Sequence, residues 1–146
     1  GRVCPEGFIR SQDKRQCFKI FNDKEYSRNE AQAKCEEENL VLAVPSKAVV
    51  LALRDDLLDN YGDLEWLWLD GITPVASSSV MVKNNQTEMN INKDLWMPGE
   101  PSLFYDKNTC LGMYIIEQVV TGFPGQVYST FPCWAGGSIL CEDIVE

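Results

Sequence analysis

The residue types that carry most chemistry are unevenly represented in this chain. Histidine, the most frequent general base and metal ligand, is absent. Six cysteines stand at Cys4, Cys17, Cys35, Cys110, Cys133 and Cys141. An even, dispersed set with no CxxC pair reads as three disulfides in a secreted domain. With every cysteine bonded, no thiolate nucleophile remains. Without histidine, neither a Ser-His-Asp nor a Cys-His hydrolase can be assembled within the chain. A two-carboxylate glycosidase is compatible with composition, but no pair of acids is singled out by spacing. These residues point away from an enzyme and towards a stapled binding module. The other conspicuous feature is the run Trp96-Met97-Pro98-Gly99-Glu100-Pro101, which sets an aromatic ring and a carboxylate around a proline-glycine turn.

Such residues need a scaffold to hold them. The chain has 146 residues, the size of one domain (1–146), and its 45% hydrophobic content suffices for a real core. No apolar run is long enough for a membrane span. No signal peptide is read, and Gly1 with Cys4 close behind looks like a processed or engineered start. The net charge of −9 would repel nucleic acid and anionic membrane surfaces. It suits calcium, but dispersed acids read first as a solvated surface.

The expected elements run as follows. Cys4–Ile9 and Cys17–Phe21 read as two short strands flanking a polar turn, Ser11 to Gln16. Ser27-Arg28-Asn29-Glu30 is a capping box, which predicts a helix to about Glu37 that carries Cys35. Ser46 is the next expected N-cap, and Val49, Val50, Leu53, Leu57 and Leu58 follow at helical spacing until Asp59-Asn60-Tyr61-Gly62. Trp66-Leu67-Trp68-Leu69 suits a buried strand, and Asp70-Gly71 reads as a turn. Val80–Val82, Leu111–Ile116 and Ser138–Glu142 read as further strands. Asn85-Gln86-Thr87 is a glycosylation sequon. Two early helices followed by late short strands give an α+β domain, with a long irregular region in its middle.

In order and spacing, these residues resemble the C-type lectin-like domain in its long, six-cysteine form. Trp66-Leu67-Trp68-Leu69 matches the family's WIGL strand, with Trp68 where glycine is usual. The Trp96–Pro101 run matches the tryptophan and the Glu-Pro pair of the sugar-site loop, and Leu140-Cys141-Glu142 matches the closing strand. The resemblance implies a fold of two helices with short antiparallel sheets and a long loop region. It implies the pairings Cys4–Cys17, Cys35–Cys141 and Cys110–Cys133. It also implies an extracellular or secreted module of the kind used in immune recognition, binding a glycan or an extracellular protein.

In sugar-binding members, calcium and two vicinal sugar hydroxyls share one set of carboxylate and amide ligands. Carried over by position, that set is depleted. Glu100 matches the glutamate before the cis proline, Pro101. Ser102 stands where asparagine or aspartate is usual, and Asn108 stands for an acidic ligand. The family's WND triplet falls on Tyr128-Ser129-Thr130, so hydroxyls of Ser129 and Thr130 replace two metal ligands. Glu100 and Asn108 are left as the best metal ligands, with Asp106 as a substitute acid. By ligand charge, calcium binding is expected to be weak or absent and no cofactor is required. A second calcium site in some members pairs the glutamate after the last cysteine, here Glu142, with an acid on the second helix, where this chain carries Val49 and Val50.

Two surface features could serve binding instead. Leu103-Phe104-Tyr105, next to Asp106, are either contact aromatics or a cap folded onto Trp96. The stretch between Cys110 and Cys133 exceeds the family's usual length, and Val119–Val127 reads as a protruding turn or a tolerated insertion.

Overall fold

In the computed structural model, the described residues are 4–10, 16–45, 47–73, 80–82, 87–89, 95–100, 109–115 and 127–143. Pro5-Glu6-Gly7 turns through a positive φ at Gly7, so the first expected strand shrinks to β1 (Ile9–Arg10). β2 (Cys17–Tyr26) is longer than expected because the closing strand pairs along it. Ser27 then caps α1 (Arg28–Glu37). Its hydroxyl accepts from the Glu30 amide at 3.3 Å, and the Glu30 carboxylate accepts from the Ser27 amide at 3.0 Å. The helix ends in a Schellman arrangement. Asn39 takes φ 61°, the Leu40 amide donates to the Cys35 carbonyl at 2.7 Å, and the Asn39 amide donates to Glu36 at 3.0 Å.

A two-residue strand, β3 (Val41–Leu42), leads into α2 (Lys47–Tyr61), which a short 3-10 turn extends over Gly62–Leu64. Val49, Val50, Leu53 and Leu57 are buried, one apolar stripe of α2. The expected cap Ser46 lies outside the described residues. β4 (Trp66–Thr73) does not stop at Asp70-Gly71 as expected. The pairing register with its neighbour shifts between Trp68 and Ile72, so the residues read as a turn form an irregularity inside a continuing strand. β5 (Val80–Val82), β6 (Thr87–Met89), β7 (Thr109–Tyr114), β8 (Tyr128–Phe131) and β9 (Gly137–Asp143) complete the described strands.

β9 lies between β2 and β4, so the chain's late strand joins its early ones. It runs antiparallel to β2 and β3 but parallel to β4, through Leu67↔Ser138 and Trp68↔Ile139. The short antiparallel sheets expected are present, and β9 adds one parallel contact, because it opposes β2 and that direction matches β4. β4 also pairs with β7, and β7 with β8.

Alternation along these strands builds two cores. Leu67, Leu69, Leu111, Met113, Tyr128 and Leu140 pack with the apolar stripe of α2. Trp68, Cys110, Phe131, Ile139 and Cys141 pack with Ala31 and Cys35 of α1. Three disulfides, Cys4–Cys17, Cys35–Cys141 and Cys110–Cys133, reproduce the pairing implied by the resemblance. The Cys35–Cys141 bridge ties α1 to the central strand β9.

Candidate functional site

The Trp96 run is anchored along β8. Trp96 forms a bridge with Tyr128, and their rings meet edge to face at 6.3 Å. The Met97 amide donates to the Tyr128 carbonyl at 2.9 Å. The Glu100 amide then donates back to the Met97 carbonyl at 3.0 Å. With Pro98 and Gly99 between them and Gly99 at φ 84°, this is a type II turn, for which that dipeptide is well suited. Trp96 is buried in the α2-side core and fixes the root of the turn.

The turn returns the Glu100 side chain to the same strand. Its Oε1 accepts from the Thr130 amide at 2.8 Å and from the Thr130 hydroxyl at 2.5 Å. Two residues earlier, the Tyr128 hydroxyl donates to the Pro45 carbonyl. Burial pushes that phenol's pKa far up, so it stays a neutral donor. β8 is therefore held from the α2 side by Pro45 and from the loop side by Glu100.

The sequence-predicted site residues divide into two groups. Glu100 and Thr130 come together directly. Ser129 is buried on β8 opposite Gly112, and its hydroxyl makes a long contact, 3.5 Å, to the Thr130 carbonyl. Adjacent strand residues point to opposite faces, so Ser129 does not join the Glu100–Thr130 pair. Ser102, Leu103, Phe104, Tyr105, Asp106 and Asn108 lie outside the described residues, as do Asn85 of the sequon and the Val119–Gln126 stretch.

Of the implied calcium ligands, Glu100, Ser129 and Thr130 lie among the described residues. One carboxylate oxygen already accepts two hydrogen bonds from Thr130, and the remaining described groups are neutral hydroxyls. Among the described residues, no group of three acidic or cysteine side chains is placed to share a metal. The second implied calcium site falls on Glu142 and on the α2 positions of Val49 and Val50. Val49 and Val50 are in the core, and Glu142 accepts from the Gln16 side-chain amide at 3.1 Å. Burial raises the Glu142 pKa, partly countered by that hydrogen bond.

Sequence reasoning missed two groups. One is the buried ion pair of Arg28 and Asp70, with 2.8 Å between Nη2 and Oδ1. In the sequence Arg28 sits within the capping box and Asp70 in an Asp-Gly turn signal, and nothing local links positions so far apart. The other is Trp134, the most exposed large apolar side chain among the described residues, at 76%. Its signal was present in a tryptophan placed in a Pro-Cys-Trp-Ala-Gly-Gly turn, where no core periodicity requires it.

The helix pair, the β9 insertion, the three bridges and the Trp96 loop on β8 decide the architecture. The fold is that of the C-type lectin-like domain. Among solved structures, the C-type lectin domain of murine dendritic cell inhibitory receptor 2, in complex with an N-glycan, superposes with TM-score 0.66 at 21% identity over 96% of this chain and 98% of that one. Human lithostathine gives 0.71 at 18% identity, covering 96% and 90%. A calcium-independent type II antifreeze protein gives 0.64 at 18% identity, covering 96% and 93%. No protein-family model and no curated protein matches the sequence. Likeness at this identity establishes the C-type lectin-like fold and leaves its ligand to be argued from the residues. Among the described residues, no helix is long and apolar enough to cross a membrane.

Proposed function

We propose that this protein is an extracellular binding module that recognises a glycan or glycoprotein without calcium. The observation that carries the reading is the Glu100–Thr130 lock. A carboxylate that would serve metal and sugar together is instead held by a strand amide and a hydroxyl. Similarity to a lectin domain seen with an N-glycan supports the glycan, and similarity to a calcium-independent antifreeze protein supports a working fold without the metal. The disulfides support an oxidising, secreted setting, where the Asn85 sequon would be available for glycosylation. No catalysis is assigned: histidine is absent, and all six cysteines are bonded.

The same lock favours a second reading, protein–protein contact without lectin activity, because it withdraws an acceptor that a sugar diol would need. The test is binding to immobilised N-glycan oligosaccharides in millimolar calcium and in chelator, with thermal melts under both conditions. Equal glycan binding and equal melting temperatures are expected. Binding and a raised midpoint only with calcium would overturn the calcium-free reading, since a ligand that binds only the native state raises the midpoint. Absence of glycan binding in both conditions would leave the protein-contact reading.

A further inference from the structure

The three disulfides differ in how far their cysteines are open to solvent. Cys35 and Cys141 are fully buried in the α1-side core, and Cys110 is 1% exposed. Cys133 is partly exposed, but its turn is held by the Arg28 amide on the Cys133 carbonyl at 3.0 Å and by the Ala135 amide on Pro132 at 2.9 Å. Cys110 also faces Phe131 in the β7–β8 ladder, so that bridge duplicates a tie already made. Cys4 differs from all of these. It is partly exposed, and Pro5, Glu6 and Gly7 after it are exposed, while its partner Cys17 is fully buried.

The arm that Cys4 fastens has few other ties. β1 joins β2 through two register pairs, Ile9↔Phe18 and Arg10↔Cys17. Phe8 packs partly on the α1-side core, with the Lys19 ammonium 5.4 Å from its ring centroid, and Ile9 packs partly on the α2-side core. A ladder this short is marginal in water without a staple. Phe18, the register partner of Ile9, is fully buried. On the β2 side of the bridge, the Gln16 side-chain amide donates to Glu142 at 3.1 Å and pins the root of β2 to β9. An opening that starts at Cys4 therefore ends at Gln16.

We propose that the Cys4–Cys17 bridge is a redox-sensitive strap, opened by a dithiol reductant while the other two bridges stay closed. A thiolate of the dithiol attacks Cys4 Sγ, which lies on the more accessible residue of the pair. The Cys4–Cys17 bond breaks, a mixed disulfide forms on Cys4, and the electron pair leaves on Cys17 Sγ, which takes up a proton. The second thiol of the reductant then displaces Cys4, whose sulfur is protonated in turn. The dithiol ends as its own disulfide, and its two electrons and two protons end on the two cysteines. The arm then leaves β2 and bares the outer edge of that strand at Cys17 and Phe18 to a pairing partner. Local opening of a short, weakly tied element needs no unfolding of the rest.

The probe is dithiothreitol on the whole chain without denaturant, followed by N-ethylmaleimide and peptide mapping by mass spectrometry. Cys4 and Cys17 are expected to be labelled about tenfold sooner, or more, than the other four cysteines. Labelling of Cys110 and Cys133 at the same rate, or of all six together, would overturn the proposal. Amide exchange then reads the arm itself, on wild type held in dithiothreitol and on Cys4→Ser/Cys17→Ser. The β1 amides are expected to exchange about tenfold faster, or more, than in the bridged protein, with β4 and β9 still protected. Unchanged protection of β1 would mean that packing and not the bridge holds the arm. General loss of protection would mean that the bridge sustains the whole fold. Either result overturns the strap.

Discussion

Arg28 and Asp70 are 2% and 1% exposed, and the guanidinium reaches Asp70 through Nη2 and Gln32 through Nη1 at 3.0 Å. Arg28 Nε has no partner in the structure, so the cation depends heavily on its carboxylate. Burial lowers the arginine pKa and Asp70 raises it again. Removing the negative charge without changing shape therefore strands a buried cation. Asp70→Asn is expected to cost ~3–5 kcal/mol. At about 2–4 °C per kcal/mol in a domain of this size, a thermal melt reads that loss directly. The double variant Arg28→Met/Asp70→Leu is expected to recover part of it, because an apolar pair needs no compensating charge. A double variant less stable than Asp70→Asn would show that the pair adds more than mutual neutralisation. At this scale the sequence was legible where contacts are local. Ser27 and Glu30 declare their cap within four residues, whereas Arg28 and Asp70 meet only after α1 and β4 pack. Glu100 was visible as a site residue, but its Thr130 partner required β8 to lie beside the loop.

Among elements, α1 was legible from its Ser27–Glu30 capping box, and α2 because a helix writes its buried face into one periodic stretch. β8 was not read as a strand. Tyr128-Ser129-Thr130-Phe131 is buried throughout yet carries two hydroxyls, so its short pattern shows no alternation. Its strand state comes from β7 beside it and from the Trp96 bridge. The departure at Trp68 is explained at this scale too. Trp68 is fully buried, donates its indole N–H to the Tyr26 carbonyl at 2.7 Å, and pairs across the sheet with Gly112. The bulk that the WIGL pattern lacks is placed on β4, and the facing position on β7 is empty of side chain. The Phe131 ring crosses that gap to stack on Trp66, centroids 3.9 Å apart. A Cβ on Gly112 would lie 2.6 Å from the Phe131 ring and 3.0 Å from the Leu67 carbonyl. Gly112→Ala is therefore expected to destabilise by ~1–3 kcal/mol through overpacking. Gly62→Ala is the comparison, since nothing lies within 4 Å of its Cβ position. Equal melting of the two variants would mean that the aromatic layer yields without strain.

For the whole molecule, the decisive fact is that β9 closes the sheet between β2 and β4. The resemblance carried this closure into the sequence reading through cysteine order, while composition alone left every pairing open. The parallel contact of β9 with β4 was not legible, because direction depends on where β9 is inserted and not on its own residues. The three bridges then differ in what they constrain. Cys4–Cys17 spans a separation of 13 residues beside a hairpin, and Cys35–Cys141 spans 106. In the chain-entropy account, a loop of the first size restrains the unfolded chain by ~3 kcal/mol and one of the second by ~5 kcal/mol. Packing adds in the same direction, since Cys35 and Cys141 are fully buried in the α1-side core and Cys4 is half-exposed. Cys35→Ala/Cys141→Ala should therefore lose clearly more stability than Cys4→Ala/Cys17→Ala in denaturant melts. The short-loop variant should stay folded, with the Glu100–Thr130 region intact by amide exchange. Equal losses would mean that the unfolded chain already keeps its ends near one another, so that the long bridge removes little freedom.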